Sequence, residues 1–197
     1  MGIVCTLVSI SDENIDRLHN DPALIWRFLN PDDLELYLSE IGAGYRPGFI
    51  ARFFGKKEIP VPESVPDLSV KQDEREEVDL DKSWDGIGFC LKNLVGRGVP
   101  DIFESGREVG RVEIGYGPAL TLDSSRVNKI ANAIEPVSEA EILSVFKPDL
   151  MGKVYPSGMW SSEEDWHSEY LIENFTSLRE FFLRLRESSF GVCVCYS

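Results

Sequence analysis

The sequence has 197 residues, of which 43% are hydrophobic and 27% are charged. This composition fits a folded globular domain and excludes a chain that is disordered throughout. With 20 basic and 34 acidic residues, the formal charge is −14 at pH 7, which argues against a surface that binds nucleic acid or anionic membranes. No apolar run approaches the roughly 18 residues that a membrane-spanning helix needs. We therefore expect one domain over residues 1–197, with no membrane and no nucleic-acid partner.

Residues 3–10 are rich in Ile, Val, Thr and Leu, and their consecutive apolar positions predict a central β-strand. The start of the chain also matches the loose N-myristoylation pattern, with Gly2, Thr6 and a neighbouring Cys5. A strand explains these residues without a lipid. Because the segment has no charged region and no cleavage site of a secretory signal, we expect a cytoplasmic protein.

Three short helices are predicted next, beginning near Ser11, Pro22 and Pro31, and Gly42 ends the third. Residues 43–78 form a variable segment of irregular pattern. Within it, residues 45–57 combine basic and aromatic side chains without an acidic one, which suits either single-stranded nucleic acid or an amphipathic helix, and we favour the helix. A proline-rich loop and a mainly acidic run follow.

The second half of the chain has clearer periodicity. Apolar residues predict helices over residues 79–95, 127–134 and 162–187, and Ser138 with Glu141 forms a capping box for a further helix. Alternation predicts strands over residues 109–114 and 190–196. Strands at both ends with helices between them indicate an α+β fold. We expect a small mixed sheet in which the first and last strands are adjacent, packed by several helices.

The four cysteines lie in apolar segments, where a free thiol behaves as a small buried hydrophobe: Cys5, Cys90, Cys193 and Cys195. We predict that they are reduced, with a thiolate metal site and a redox pair as the alternatives. A zinc-binding helix would need two histidines beside a glutamate, and residues 163–167 offer only His167 with Glu163 and Glu164. We interpret that face as solvated and expect no metal site.

Six residues are candidate ligand contacts: Asp81, Lys82, Trp84, Tyr116, Tyr155 and Trp160. The first three open the helix predicted over residues 79–95. Tyr116 lies in a Gly-Tyr-Gly-Pro turn, and the last two lie in an aromatic loop, where tyrosine and tryptophan combine stacking faces with hydrogen-bond donors. The structural alternatives are a helix start, a tight turn and a loop held against the core.

Known catalytic motifs are missing from the sequence. It contains no Gly-x-Ser-x-Gly elbow, no phosphate-binding glycine loop and no evident Cys–His or Ser–His–Asp arrangement. Paired carboxylates are the acid–base groups that remain available. The sequence therefore favours a protein without a cofactor and without catalysis.

A set of short motifs carries a family resemblance: Met1-Gly2-Ile3-Val4, Leu80-Asp81-Lys82-Ser83-Trp84, Gly115-Tyr116-Gly117-Pro118-Ala119, a helix start at Leu120-Thr121, and Tyr155-Pro156 with Trp160. With the last helix and strand, these resemble the YfbM-like family, a bacterial domain of unknown function (number 1877). The resemblance implies a single cytoplasmic α+β domain without an assigned reaction. Many members carry histidine where this chain has Asp85 and Gly88, which weakens any histidine-based role at this helix.

Two functions follow as hypotheses. The leading one is a non-catalytic binding or interaction domain whose acidic surface recognises an unknown protein partner. The acidic residues Asp73, Glu74, Glu76 and Glu77 would steer that association, or would form only a solubilising linker. The alternative is a small-molecule-binding protein or enzyme with an aromatic pocket around Trp84, Tyr116, Tyr155 and Trp160. A pocket shared by all four aromatic residues would favour the alternative, and four separate core positions would favour the leading hypothesis.

Overall fold

The computed structural model describes residues 2–46, 57–64, 68, 75–94, 98–160 and 166–197. Five strands form one sheet in the order β2-β1-β5-β4-β3: β1 (Cys5–Ile10), β2 (Glu77–Asp79), β3 (Arg107–Glu108), β4 (Leu120–Leu122) and β5 (Gly191–Tyr196). The α+β prediction is confirmed. The sheet of the described residues is antiparallel rather than mixed, because the chain reverses between every pair of neighbouring strands, a property that strand periodicity does not encode.

The first and last strands are neighbours at the centre of the sheet, as predicted. They pair from Cys5 opposite Tyr196 to Ile10 opposite Gly191. The pairing continues past the strand ends, since Val4 N–H donates to the Ser197 carbonyl at 2.8 Å and Ser197 N–H donates back at 3.0 Å. Both ends of the chain are therefore tied into the middle of the fold.

Seven helices occur in the described part of the chain: α1 (Asp12–Asn20), α2 (Ile25–Leu29), α3 (Leu34–Glu40), α4 (Trp84–Asn93), α5 (Ser124–Ile134), α6 (Glu139–Val145) and α7 (Trp166–Ser188). The predicted caps form. The Ser11 side chain accepts the Asn14 N–H, and Ser138 and Glu141 make a reciprocal capping box. Each cap satisfies backbone donors that the first turn of a helix leaves without intrahelical partners.

The sheet lies between two apolar clusters. One face packs against α4 to α7 through residues such as Leu7 and Val194, and the other packs against α1 to α3 through residues such as Val8 and Cys193. Since successive side chains of a strand point to opposite faces, a strand covered on both sides must be apolar at consecutive positions. This explains the continuous apolar runs at the two ends of the sequence.

All four cysteines are free and buried. Cys193 and Cys195 share one face of β5, with their sulfur atoms 3.8 Å apart, whereas Cys5 lies in the cluster on the opposite face. Burial raises the pKa of the Cys90 thiol to about 12 and raises the pKa of Cys5 as well. The prediction of buried core cysteines is confirmed, and the burial of Cys5 leaves its sulfur inaccessible to an acyl chain.

Several predicted elements differ from the observed ones. The strand predicted over residues 109–114 is wrong, because the chain turns at Gly110, which has a φ of +58°. The residues that pair with this side of β4 are those of β3, which ends at Glu108. Leu120 and Thr121 form β4 rather than a helix start, and α5 begins after its cap at Asp123. Leu80 is buried before α4 begins, so periodicity extended that helix too far towards the N-terminus. The amphipathic helix predicted over residues 45–57 falls largely outside the described residues.

The Gly-Tyr-Gly-Pro turn lies in the connection between β3 and β4, and its backbone contacts the end of β5. Gly117 has a φ of +109°, and Ile114 N–H donates to its carbonyl at 3.2 Å. Tyr116 N–H donates to the Tyr196 carbonyl at 2.9 Å, and a Cβ at Gly115 would collide with that same carbonyl. The two glycines thus meet different demands, one for a positive φ and one for close backbone approach.

We expect all four thiols to resist alkylation in the folded protein and to react in concentrated denaturant. Burial excludes the reagent, and the raised pKa of Cys5 and Cys90 keeps those thiols protonated at mildly alkaline pH. Mass spectrometry after alkylation in each condition measures the number of labelled residues. A disulfide between Cys193 and Cys195 in protein alkylated before reduction would contradict this expectation.

We expect Gly117→Val to lower the free energy of unfolding by about 1–3 kcal/mol, because a β-branched residue is strained at a positive φ. The control is Gly152→Val, at an exposed glycine with open space around it and no positive φ. That change should cost within about 0.5 kcal/mol. Chemical denaturation measures both values, and equal losses for the two variants would remove the case for strain at this turn.

Candidate functional site

A cavity of about 370 Å³ opens at the end of β5, on the face of the sheet that carries α4. Four of its lining side chains are aromatic: Trp84, Phe103, Tyr116 and Tyr196. Two are acidic, Glu104 and Glu108, and three are apolar, Ile3, Pro118 and Leu120. The volume falls in the range of about 300–1,000 Å³ that small-ligand sites occupy.

Trp84, the first residue of α4, is the aromatic centre of the site. Its ring stacks on Tyr155 at a centroid distance of 5.8 Å and meets Tyr196 edge-on at 5.0 Å. Phe103 lies 6.0 Å away at an angle of 60°, and the indole N–H donates to the Ile3 carbonyl at 3.4 Å. Contacts on several sides hold the indole in one orientation, so the lining around it is preorganised.

Tyr196 closes the inner wall of the cavity. Its hydroxyl donates to the Phe103 carbonyl at 2.7 Å, which joins the last strand to the loop over residues 101–105. Burial raises the pKa of the Tyr196 phenol well above its usual value, and the nearby Cys5, Asp101 and Glu104 act in the same direction. The phenol therefore stays neutral and keeps donating its hydrogen bond.

The two glutamates of the cavity differ in their surroundings. Asp101 accepts the backbone N–H groups of Phe103 and Glu104, both at 2.9 Å, and so fixes the loop that carries Glu104. Lys92 Nζ lies 3.1 Å from Asp101 Oδ2 and 3.3 Å from Glu104 Oε2. Glu108 is exposed on β3 and forms no ion pair with any residue that the structure describes. The cavity therefore has one carboxylate that shares Lys92 with Asp101 and one that has no cationic partner among the described residues.

Of the six candidate contacts, the structure brings only Trp84 and Tyr116 into the cavity lining. Tyr116 is 57% exposed on its turn. Tyr155 stacks on Trp84 but is not part of the lining, and its hydroxyl accepts the Ile3 N–H. Trp160 is fully buried in the core and donates its indole N–H to the Tyr155 carbonyl at 2.8 Å. The four predicted aromatic residues do not share one pocket.

Asp81 and Lys82 hold the start of α4 against α7 instead of lining the cavity. The Tyr170 hydroxyl donates to Asp81 Oδ2 at 2.9 Å and accepts the Lys82 backbone N–H at 3.1 Å. Burial, with the Asp81 hydrogen bond second, raises the pKa of Tyr170 to about 12. These contacts favour the structural interpretation of the Asp-Lys-Ser-Trp motif, because they give the Asp81 carboxylate and the Lys82 backbone N–H a partner without a ligand.

His167 is 3% exposed and lies beside the rings of Trp160 and Trp166, so the prediction of a solvated face is wrong for this residue. Glu163 and Glu164 lie outside the described residues. Among the residues that are described, no group of three or more His, Cys, Asp or Glu side chains could hold a metal ion. Within that same part of the chain, every helix is too short or too polar to span a bilayer.

The acidic run beside the variable segment is partly neutralised. Glu76 Oε2 lies 2.6 Å from Arg184 Nε, and Glu77 Oε2 lies 3.7 Å from Arg75 Nη2. Asp73 and Glu74 lie outside the described residues. Two of the four carboxylates that were assigned to steering therefore have a cationic partner within the chain.

Sequence reasoning missed most of the cavity lining. One signal was available, since alternation along the last strand places Tyr196 on the same face as Val192 and Val194. Phe103 and Glu104 carry no such signal, because they follow a helix end and belong to an irregular loop. Their position depends on the fold rather than on any local spacing.

Comparison with known proteins gives a family and a fold. The model of a domain of unknown function, DUF1877, matches residues 1–194. The crystal structure of YfbM from Escherichia coli, a protein of unknown function, is similar with a TM-score of 0.55 and 13% sequence identity, covering 98% of this chain and 99% of that chain. At that identity the likeness shows the fold alone. No curated protein matches the chain. Because the family model spans nearly the whole sequence, the chain belongs to the DUF1877 family, the YfbM-like family that its motifs resemble.

Proposed function

We propose that this protein is a non-catalytic binding domain and that the cavity beside Trp84 is where its ligand binds. The observation that carries the proposal is the set of four aromatic rings around an open volume of about 370 Å³. Aromatic side chains supply large contact areas at a low entropic cost, and concave aromatic sites with a few polar groups are typical of ligand binding. The contacts of Trp84 and Tyr196 support a cavity that exists before the ligand arrives.

The lining chemistry supports binding rather than catalysis. Within the described part of the chain, the cavity presents no Cys, His, Lys or Ser side chain, which are frequent nucleophiles and bases of enzymes. The Tyr196 hydroxyl is engaged with a carbonyl, and Glu104 is engaged with Lys92. Glu108 is the acid–base group that remains, and the described lining offers it neither a nucleophile nor a second carboxylate without an ion pair, which supports binding rather than catalysis.

The acidic run over residues 73–77 is the competing binding site, where a protein partner would bind instead of a ligand in the cavity. The ion pairs of Glu76 and Glu77 reduce the free negative charge there. By contrast, the cavity combines shape, apolar area and a carboxylate, Glu108, for which the described part of the chain offers no cationic partner. These differences support the cavity as the binding site.

We expect a ligand-observed NMR screen of small aromatic and aliphatic fragments to yield binders that Tyr116→Ala weakens about tenfold, which corresponds to about 1.4 kcal/mol of lost contact. Tyr116 is more than half exposed, so its truncation removes binding area without opening the core. Equal melting temperatures of Tyr116→Ala and the parent protein would show that the truncation leaves the core intact.

Tyr45→Ala is the matched control, since Tyr45 is 44% exposed and lies outside the cavity lining. It should leave the affinity of the same fragments unchanged. Fragments that respond to Tyr45→Ala instead would place binding elsewhere, and a screen without any binder would contradict the proposal. Chemical turnover of a bound compound would contradict its non-catalytic part.

A further inference from the structure

We infer that the ligand of this cavity carries an organic cation, an ammonium or guanidinium group, which contacts the aromatic rings and the Glu108 carboxylate. The inference rests on the proposed function and adds the chemical class of the ligand. The juxtaposition of Trp84, Phe103, Tyr116 and Tyr196 with two carboxylates in one lining is the observation that carries it.

The aromatic rings provide the first attraction. The face of an aromatic ring is negative, and a cation within about 6 Å of the ring centroid is attracted to it, most strongly for tryptophan. Trp84 has Tyr196 at 5.0 Å and Phe103 at 6.0 Å, measured between centroids. Tyr155 is stacked on the Trp84 indole, so a cation would contact the part of Trp84 that lines the cavity, beside the neighbouring rings of Tyr196 and Phe103.

The carboxylates provide the second attraction. Glu108 is exposed and has no cationic partner among the described residues. Glu104 forms an ion pair with Lys92, so Glu108 is the carboxylate that we assign to the bound cation. The described lining contains no Lys or Arg side chain that would compete with a bound cation. The formal charge of −14 also raises the local concentration of cations around the whole protein.

Other ligand classes fit less well. A phosphate or carboxylate would need free donors, yet the N–H of Tyr116 already donates to the Tyr196 carbonyl and that of Ile114 to the Gly117 carbonyl. A bare metal ion would need a closer set of oxygen ligands, and no such cluster occurs among the described residues. An organic cation uses both the apolar rings and the free negative charge.

The test compares a cation with a neutral molecule of the same shape. Choline is the cationic probe, and 3,3-dimethylbutan-1-ol replaces its nitrogen by carbon. Isothermal titration calorimetry or NMR titration of the full chain should give an affinity for choline about tenfold higher than for the alcohol, because only choline gains from the rings and the carboxylate. Equal affinities that Tyr116→Ala lowers in parallel would overturn the inference and leave the proposed function standing.

Glu108→Gln should weaken choline binding about two- to fivefold and should leave binding of the neutral alcohol unchanged. The control is Glu113→Gln, which removes the same net charge from an exposed glutamate in the same connection but outside the lining. An equal loss in both variants would mean that only the overall charge acts, and that would overturn the role assigned to Glu108. No binding by choline or by guanidinium would also overturn the inference.

Capped tripeptides distinguish the two sources of such a group, a small organic cation and the side chain of a protein. Gly-Arg-Gly and Gly-Lys-Gly are compared with Gly-Gln-Gly and with choline. Preferential binding of the basic peptides supports the cation and assigns it to a protein side chain, whereas preferential binding of choline supports the cation and assigns it to a small quaternary ammonium compound. Binding of Gly-Gln-Gly as strong as that of the basic peptides and choline would overturn the inference.

Discussion

Six residue pairs join β1 to β5, from Cys5 opposite Tyr196 to Ile10 opposite Gly191, and the other strands are added on either side of this pair. This pairing brings together two segments that are separated by nearly the whole chain, and closing such a long loop costs conformational entropy. Burial of apolar side chains on both faces of the sheet offsets that cost. Both apolar clusters are built on these two strands. A change that weakened the central pair would therefore expose both clusters.

The candidate site depends on the same pairing. Tyr196 reaches the cavity because it is the last residue of β5, and its hydroxyl fixes the loop that carries Phe103 and Glu104. Trp84 enters from α4, whose start is held to α7 by Asp81 and Tyr170. The site thus gathers residues from distant parts of the sequence onto a framework that core packing keeps rigid.

The Asp-Lys-Ser-Trp motif contains residues with two different roles: some anchor the start of α4, and Trp84 lines the cavity. The Asp81 carboxylate and the Lys82 backbone N–H bond to Tyr170, whereas Trp84 packs against the core and lines the cavity. A similar division applies to the aromatic loop, in which Trp160 packs inside and Tyr155 supports Trp84. A motif that carries the family resemblance therefore does not need to bind a ligand, since Asp81 anchors the start of α4 through its hydrogen bond to Tyr170.

The sequence alone determined the features that depend on local chemistry. The helix caps at Ser11 and Ser138, the doubly buried terminal strands and the reduced cysteines follow from capping, periodicity and hydrophobicity, which act over a few residues. Only the tertiary structure decided that Glu108, Phe103 and Tyr196 meet beside Trp84 while Trp160 is buried. The physical reason is that a cavity is defined by contacts between residues far apart in the chain, and no local pattern encodes which strand end, loop and helix start come together.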